Sequence, residues 1–334
     1  MAVQRNSLSG GSHMKTIRSN VHYHIGNEPE TDMYSEVLHG LRQEKKFISP
    51  KYFYDKKGSE LFEAITMLTE YYPTRTELLI LNKYKDEMAH AIGRDTALVE
   101  FGSGSSEKVR TLLESMPELK EYVPIDISKD FLYQSARALS IEYPHLDVHA
   151  VSADYTDKFE VPDLKSKLKA VFFPGSTIGN FEPEERINFL KMTADFLKPN
   201  GGLLIGVDMK KDHAVLNAAY NDNKGITSQF NINLLNRLNR ELLANFDLEK
   251  FQHHAFYHAE KGRIEMHLVS LVNQMITIGN ENVFFTEGET IHTENSYKFT
   301  IQEFQNMARQ CGFTPKKVWC DDKNWFSMHY LVVE

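Results

Sequence analysis

The sequence predicts an α/β fold built on a doubly wound parallel sheet, interrupted by an inserted lobe. Between residues 97 and 208, short apolar runs of strand length alternate with segments of helical spacing. This order is typical of a parallel sheet with helices on both faces. After Asp208 the alternation stops, and residues 253–299 have the pattern of consecutive antiparallel strands. We therefore expect a lobe inserted into the sheet domain, packed with the N-terminal helices.

Three helices are predicted before the sheet: over Thr31–Gln43, from Ser59 onwards, and over Thr74–Ala91. Ser59 and Thr74 are the expected N-caps, and Glu77 completes a capping box with Thr74. The predicted sheet strands are Ala97–Phe101, Tyr122–Asp126, Asp147–Val151, Ala170–Phe173 and Gly202–Asp208. The predicted helices between them are Lys108–Ser115, Lys129–Tyr143 and Pro183–Leu197. Residues 212–242 are expected to be helical, Ile301–Gln310 forms a further helix, and Val318–Trp319 with His329–Val333 closes the sheet.

Composition excludes several functional classes. The net charge is −8, from 38 Lys+Arg against 46 Asp+Glu, and no dense basic cluster is present, which argues against a nucleic-acid binder. No apolar run approaches the roughly 20 residues that span a bilayer. The two cysteines, Cys311 and Cys320, cannot form a disulfide framework or a zinc cluster, and we expect reduced thiols in a cytoplasmic protein. The 14 histidines show no metal-ligand spacing, so no metal site is predicted. Residues 1–13 resemble an expression leader and are set aside.

A glycine loop follows the first sheet strand and precedes a helix. It comprises Glu100, Phe101, Gly102, Ser103 and Gly104. Glycines let a ligand approach the backbone, and the helix N-terminus offers free N–H groups. The last glycine of a dinucleotide fingerprint is replaced by Glu107, which would repel a pyrophosphate, so a ligand without phosphate fits better.

Acidic residues follow the next two strands. Asp126 is placed to accept hydrogen bonds from ribose hydroxyls, and Asp154 could bind an adenine amino group. Their alternative role is helix capping. The order of the glycine loop and the two acids favours binding of S-adenosylmethionine.

Several stretches, the glycine loop among them, are too unusual for generic packing, and together they carry a family resemblance. They are YFYDKKGSELFEAIT, EYYPTRTE, EFGSGSSEK, PGSTIGNF, the run YNDNKGITSQF at Tyr220–Phe230, RIEMHL and IHTENSYKF. From about residue 30 to its end, the chain resembles the histidine-specific N-alpha-methyltransferases of the ergothioneine pathway. The resemblance implies a Rossmann-like class I methyltransferase core and a second α+β domain that covers the acceptor.

The resemblance also implies the domain bounds and the site residues. Residues 73–211 with 299–334 form the S-adenosylmethionine-binding domain, and residues 14–72 with 212–298 form the substrate-binding domain. The cofactor residues carried over are Gly102, Lys108, Asp126, Asp154 and Tyr155, to which the glycine loop adds Glu100 and Gly104. The substrate residues carried over are Tyr54, Phe62, Tyr71, Gly175, Thr177, Asn180, Tyr220, Met266, Glu294 and Ser296. On this resemblance Asn180 and Tyr220 hold the substrate carboxylate, Tyr54 and Asn180 lie at the amine as catalytic residues, and Glu294 and Ser296 bind the imidazole.

The implied reaction is the transfer of three methyl groups to the α-amine of L-histidine, giving hercynine and S-adenosylhomocysteine. Glu294 and Ser296 are two residues apart, so on a strand both face one side, where a carboxylate and a hydroxyl can pair with the two ring nitrogens. The alternatives are an N-methyltransferase of another aromatic amino acid such as a tryptophan derivative, a catalytically silent S-adenosylmethionine-binding regulator, and a methyltransferase acting on RNA or protein. We expect a monomer with a small-molecule substrate and without a nucleic-acid or membrane partner.

Overall fold

The structure is a computed structural model that describes residues 20–26, 32–104, 106–157 and 159–334. The predicted leader, residues 1–13, lies outside the described residues. The strands are β1 (Val21–Ile25), β2 (Thr96–Phe101), β3 (Glu121–Asp126), β4 (Asp147–Ser152), β5 (Leu168–Phe173), β6 (Gly202–Asp208), β7 (Phe251–His258), β8 (Arg263–Ser270), β9 (Gln274–Ile278), β10 (Glu281–Phe285), β11 (Thr290–Tyr297), β12 (Phe313–Cys320) and β13 (Phe326–Val333). The α-helices are α1 (Met33–Leu41), α2 (Lys56–Thr66), α3 (Tyr72–Ile92), α4 (Glu107–Leu113), α5 (Lys129–Glu142), α6 (Pro183–Leu197), α7 (His213–Tyr220), α8 (Ile226–Glu241) and α9 (Ile301–Gln310). Short 3₁₀ helices cover Pro50–Phe53, Thr177–Asn180 and Leu248–Lys250.

Within the described residues the main sheet has eight strands, in the order β1-β4-β3-β2-β5-β6-β13-β12. The pairs from β1 to β6 are parallel, and β13 runs antiparallel to both β6 and β12. The strand order reverses where β2 lies between β3 and β5, and doubly wound sheets bind ligands at such a switch point, beyond the carboxyl ends of the strands. This architecture confirms the predicted α/β class.

Helices cover both faces of this sheet. Successive residues of β2 point to opposite sides: Leu98 packs in a core with α3, α4 and α5, whereas Val99 packs in a core with α6 and α9. Because both faces are buried, the central strands are continuously apolar instead of alternating with polar residues. Among the helices of the described part of the chain, none is long and apolar enough to cross a membrane.

The remaining elements share a separate core. Leu41 of α1 and Ile65 of α2 pack in one cluster with Leu234 of α8 and Leu268 of β8. The inserted strands form a three-stranded antiparallel sheet, β11-β8-β7, and a hairpin of β9 and β10. The predicted antiparallel insertion is therefore confirmed, and it packs with the N-terminal helices.

Strand β1 was not predicted. Val21–Ile25 pairs in parallel with β4 at the edge of the main sheet, although the predicted bounds assigned it to the substrate-binding domain. This strand lies at an exposed edge, and every second residue in it is polar. It therefore has no apolar run that would predict a strand.

Both predicted N-caps before the sheet are also wrong. Helix α2 begins earlier than expected, at Lys56, and Asp55 caps it by accepting a hydrogen bond from Gly58 N at 2.7 Å. Helix α3 begins at Tyr72. Thr74 is therefore inside that helix, and Glu77 points into the core instead of forming a capping box.

Candidate active site

A cavity of about 570 Å³ lies over the carboxyl ends of β2 to β5, beside helices α2 and α3. Loops of the sheet line one part of it, and the N-terminal elements line the other. The predicted site residues that line it are Tyr54, Phe62, Tyr71, Glu100, Gly102, Gly104, Lys108, Asp126, Asp154, Tyr155, Gly175, Thr177 and Asn180. Residues far apart in the sequence are therefore brought to one cavity at the switch point of the sheet.

The glycine loop brings its backbone close to the cavity. Gly102 has φ +67°, and a Cβ there would lie 3.4 Å from the Tyr155 hydroxyl. The hydroxyl of Ser103 is buried and has no hydrogen-bond partner among the described residues. A left-handed glycine against an aromatic ring, beside an unpaired hydroxyl, fits a ligand that approaches the main chain closely.

The two predicted acids flank this loop. Asp126 accepts hydrogen bonds from Gly104 N at 3.2 Å and Ser128 N at 2.8 Å, and burial raises the pKa of its carboxyl. Asp154 accepts one from Thr156 N at 2.9 Å. An ionised carboxylate has about four acceptor positions, so both acids keep positions for donors on a ligand. Nearby, the Tyr155 ring lies parallel to that of Phe101, with centroids 5.5 Å apart.

Lys108 is held by Glu77, for which the sequence predicted a capping box with Thr74. Its Nζ lies 2.6 Å from the carboxylate of Glu77, which also accepts a hydrogen bond from Gly175 N at 2.8 Å. Glu77 is fully buried, and a Cβ at Gly206 would lie 2.2 Å from its Oε1, so a glycine is needed there. Glu77 thus ties α3 to α4 and to the loop after β5, and fixes two residues of the cavity lining.

Glu100 differs from the other carboxylates in its surroundings. It is 1% exposed, accepts a hydrogen bond from the Tyr122 hydroxyl, and lies at the floor of the cavity. Burial raises its pKa to about 8. The raised pKa favours the neutral carboxylic acid over the carboxylate.

Aromatic rings form a wall on the acceptor side of the cavity. Phe62 of α2 contacts Tyr54 and Tyr71 edge-on, with ring centroids 5.8 and 6.3 Å apart. Tyr71 in turn contacts Tyr220 at 6.1 Å, and Phe230 of α8 contacts Tyr54 at 6.1 Å. Phe230 was not predicted as a site residue, although it lies at the end of one of the family motifs.

The chain around these rings is fixed by polar contacts. Asp55, next to Tyr54, accepts hydrogen bonds from Asn233 at 2.9 Å and from Arg240 at 2.7 Å. The guanidinium of Arg75 donates to the backbone carbonyl of Tyr71 at 3.1 Å. The hydroxyl of Ser128, in the loop after β3, donates to the Tyr54 carbonyl at 3.1 Å, which joins the acceptor side to the loop of Asp126.

Polar groups on the acceptor side are left without partners. The hydroxyls of Tyr54 and Tyr71, the amide of Asn180 and the carboxylate of Glu294 make no hydrogen bond to any described residue. Burial, then the charge of Glu294, raises the pKa of Tyr54 well above its ordinary value. Burial raises the pKa of Glu294 to about 7, against the opposing charge of Lys298. Unpaired polar groups in a partly enclosed site are suited to hold a polar ligand.

Four predicted residues lie outside the cavity lining: Tyr220, Met266, Glu294 and Ser296. Tyr220 connects to the lining through its ring contact with Tyr71. Met266 on β8 is the cross-strand neighbour of Glu294, just after an irregularity in β11 at residues 292–294. Ser296 accepts hydrogen bonds from the Tyr220 hydroxyl at 2.9 Å and from Lys298 Nζ at 2.7 Å.

The partners of Ser296 belong to a buried ionic cluster that the sequence did not reveal. Lys298 Nζ lies 2.6 Å from Asp208, at the end of β6, and the other oxygen of Asp208 lies 2.6 Å from Lys211. The Tyr72 hydroxyl donates to the same carboxylate at 2.8 Å. Burial acts to raise the pKa of Asp208, but the two lysines outweigh it and hold the pKa below its usual value. Asp208 and Lys298 are far apart in the sequence, so no local pattern predicts that they meet.

Comparison with known proteins agrees with this geometry. A family model described as "Histidine-specific methyltransferase, SAM-dependent" matches residues 33–333. The histidine N-alpha-methyltransferase of Mycolicibacterium smegmatis is 40% identical over 303 residues, which cover 89% of this chain and 94% of that protein. The one from Mycobacterium tuberculosis is 39% identical, covering 93% and 98%. Ergothioneine biosynthesis protein 1 of Neurospora crassa is 31% identical over 83% of this chain and 32% of that protein.

Proposed function

The chain belongs to the family of S-adenosylmethionine-dependent, histidine-specific methyltransferases, and we propose that it trimethylates the α-amine of L-histidine to hercynine, the first step of ergothioneine biosynthesis. The observation that supports this acceptor best is the unpaired carboxylate of Glu294, beside a wall of tyrosines. An unpaired, partly buried carboxylate favours a ligand with an N–H group, such as imidazole.

The glycine loop and the two acids that flank it fit S-adenosylmethionine. Asp126 would accept the ribose hydroxyls, Asp154 the adenine amino group, and Tyr155 would pack beside the adenine. Ser103, through its unpaired hydroxyl, and Lys108 would bind the methionine end beside the glycine loop. When bound, S-adenosylmethionine supplies a methyl group on a sulfonium, which a neutral amine can displace.

The acceptor groups would bind histidine at three points. Glu294 and Ser296 would pair with the imidazole, and Met266 would pack against its ring. Asn180 and Tyr220 would hold the carboxylate. A histidine fixed at both ends presents its amine to the methyl donor in one orientation, and alignment of this kind contributes most of what a simple displacement requires.

Tyr54 would orient the amine instead of deprotonating it. Burial and the nearby Glu294 charge raise the pKa of its hydroxyl, so it remains a neutral phenol at pH 7. A neutral phenol can form a hydrogen bond but is not a base. The faces of Tyr54, Phe62 and Tyr71 can also stabilise the positive charge that the amine acquires with each methyl group.

The division of labour between the two cores is also part of the proposal. Residues 73–211 and 299–334 would bind S-adenosylmethionine, and residues 32–72 with 212–298 would bind histidine, with β1 belonging to the sheet domain. The common core of the N-terminal helices and the insertion supports this division. We further propose that the protein is cytoplasmic and monomeric; light scattering on the purified protein would test the monomeric state, and fractionation of the cells that make it would test the location.

The test is mass spectrometry of reactions containing the protein, S-adenosylmethionine and one of a panel of free amino acids. We expect histidine alone to gain up to 42 mass units, roughly three methyl groups in place of three hydrogens, with S-adenosylhomocysteine as co-product. Methylation of tryptophan in place of histidine would contradict the acceptor assignment and leave the cofactor assignment intact.

The matched variant is Glu294→Gln, which keeps the size of the side chain and removes its charge. If Glu294 binds the imidazole, this variant requires more histidine but binds S-adenosylmethionine as tightly as the parent. If the affinities for histidine and for S-adenosylmethionine fell equally, Glu294 would be needed for the fold and not for binding histidine.

A further inference from the structure

Three histidines and an aspartate lie together at the edge of the main sheet, away from the cavity. His22 and His24 are on β1, and Asp147 and His149 are on β4. His22 is the register partner of His149 in the parallel pair. Since residues two apart on a strand point to the same side, all four side chains share one face of the two strands.

We propose that this cluster of His22, His24, Asp147 and His149 is a Zn²⁺ site. One potential ligand atom from each of His22, Asp147 and His149 lies within 4.8 Å of the others. His24 Nε2 lies 3.4 Å from His149 Nδ1, and His22 Nε2 lies 2.9 Å from Asp147 Oδ1. Ligands bound to zinc at about 2.0–2.1 Å in tetrahedral geometry are separated by roughly 3.3 Å. His22, Asp147 and His149 already place a ligand atom within reach of one ion, and His24 would join them by turning its ring, which lies stacked against that of His149 with centroids 5.6 Å apart.

The chemistry of the cluster also suits zinc. Imidazole nitrogens and a carboxylate are ligands that Zn²⁺ accepts readily.

The charged neighbours of the cluster do not block it. Lys165 Nζ lies 3.3 Å from Asp147 Oδ2, but its side chain is 86% exposed and free to move away. Glu121, the neighbour of Asp147 on β3, adds a negative charge nearby, and its carboxylate is held by Lys165 N and Ser166 N.

A second cluster in the described residues provides an internal contrast. Glu265, His267 and His292 also lie within 4.8 Å of one another. Arg263 lies 2.6 Å from the Glu265 carboxylate, and Lys261 lies 3.1 Å from it. These two cations neutralise the carboxylate and repel a metal ion. Of the two clusters, only the one at the sheet edge has a carboxylate whose cationic partner is a single mobile lysine.

A zinc ion there would join β1, the edge strand, to β4. The site lies near the beginning of β4, whereas Asp154 at the cavity follows its end, a separation on the order of 10–20 Å at the rise of a strand. Zinc would therefore fasten the N-terminal strand without entering the methyl-transfer site, and the proposal is independent of the acceptor assignment.

The test is a titration of the full-length, chelator-treated protein with zinc chloride, in competition with a chromophoric chelator. We expect one tight equivalent of Zn²⁺ and slower amide hydrogen exchange in residues 21–25 when zinc is present. His149→Ala should weaken zinc binding at least about tenfold, and remove the protection of β1. His267→Ala, in the contrasting cluster, should leave the affinity unchanged.

Circular dichroism and melting in the absence of zinc should match between His149→Ala and the parent, so that loss of binding is not loss of fold. Should His149→Ala melt early, Asp147→Asn serves as the second variant. The proposal is overturned if the parent takes up no tight zinc, if both sheet-edge variants bind it as well as the parent, or if His267→Ala loses it.

Discussion

The two sides of the cavity differ in how their polar groups are satisfied. On the side of the sheet, Asp126 and Asp154 accept backbone N–H groups, and Lys108 is paired with Glu77. On the acceptor side, Tyr54 and Glu294 make no hydrogen bond to the described residues through their hydroxyl and carboxylate.

This difference indicates that the two sides achieve specificity in different ways. A carboxylate that the backbone N–H groups already hold is preorganised. It stays hydrogen-bonded when a ligand lacks one contact, so little binding free energy is lost. Unpaired groups in a partly buried setting depend on the ligand for their hydrogen bonds once the ligand excludes water, so a ligand that lacks the matching group leaves them unsatisfied. We therefore expect the acceptor side to be the more sensitive to substitution.

The largest expected effect comes from Glu294→Ala. Losing a hydrogen bond to a charged group, at about 3 kcal/mol, should lower kcat/KM for histidine by about 100-fold. The dissociation constant for S-adenosylmethionine, measured by calorimetry, should not change. A similar loss in both measurements would show that the two sides are not separate.

A smaller effect is expected from Asp126→Ala on the opposite side. The ribose hydroxyls can turn to water in the partly open cavity when the carboxylate is removed, so a net loss of about 2 kcal/mol should weaken S-adenosylmethionine binding by about 30-fold. KM for histidine at saturating S-adenosylmethionine should remain that of the parent. Asp126→Asn retains an acceptor oxygen and is the control, with an intermediate affinity. An unaltered affinity in the alanine variant would remove Asp126 from the cofactor site.

The pH dependence tests the unpaired carboxylate itself. Because burial raises the pKa of Glu294 to about 7, its ionised form dominates above that pH and its neutral form below it. An ionised carboxylate accepts the imidazole N–H, so kcat/KM should fall about tenfold for each pH unit below 7 from this group alone. The kcat/KM of Glu294→Gln should not show this fall. The pH dependence that remains in the variant comes from the ionisation of the substrate histidine. Identical profiles for the two proteins would contradict the assignment.

The smallest effect is expected from Tyr54→Phe. Removing one neutral hydrogen bond, about 1 kcal/mol, should lower kcat by about fivefold and leave the shape of the pH profile unchanged. If Tyr54 were instead the base, kcat would fall by several orders of magnitude and a limb of the profile would disappear. Stopped reactions analysed by mass spectrometry would measure both quantities.

The sheet and its loops could be predicted because each rests on local patterns. Strand Gly202–Asp208 and helices Pro183–Leu197 and Ile301–Gln310 have the predicted bounds. A glycine loop after a strand, or an acid at a strand end, is visible within ten residues of sequence. The same is true of the antiparallel insertion, whose turns at Gly262 and Gly279 both have positive φ.

Features that depend on distant residues could not be predicted. Glu77 fits a capping box three residues after Thr74, but tertiary contacts to Lys108 and Gly175 place it in the core. Lys298 and Asp208 are 90 residues apart and meet only after folding. The histidine cluster at the sheet edge needs the pairing of β1 with β4, and the spacing of its members along the chain shows nothing of it.

The contact between Asp208 and Lys298 limits how this protein can be redesigned or recombined. Asp208 ends β6 of the main sheet, whereas Lys298 directly follows β11 of the insertion. A chimera that takes residues 212–298 from a relative must bring a cation to position 298. A graft with methionine there would remove one of the two lysines that compensate the buried Asp208 carboxylate, at a cost of at most about 3–5 kcal/mol. New acceptor specificity is therefore more accessible by changing the pocket residues singly than by exchanging the lobe.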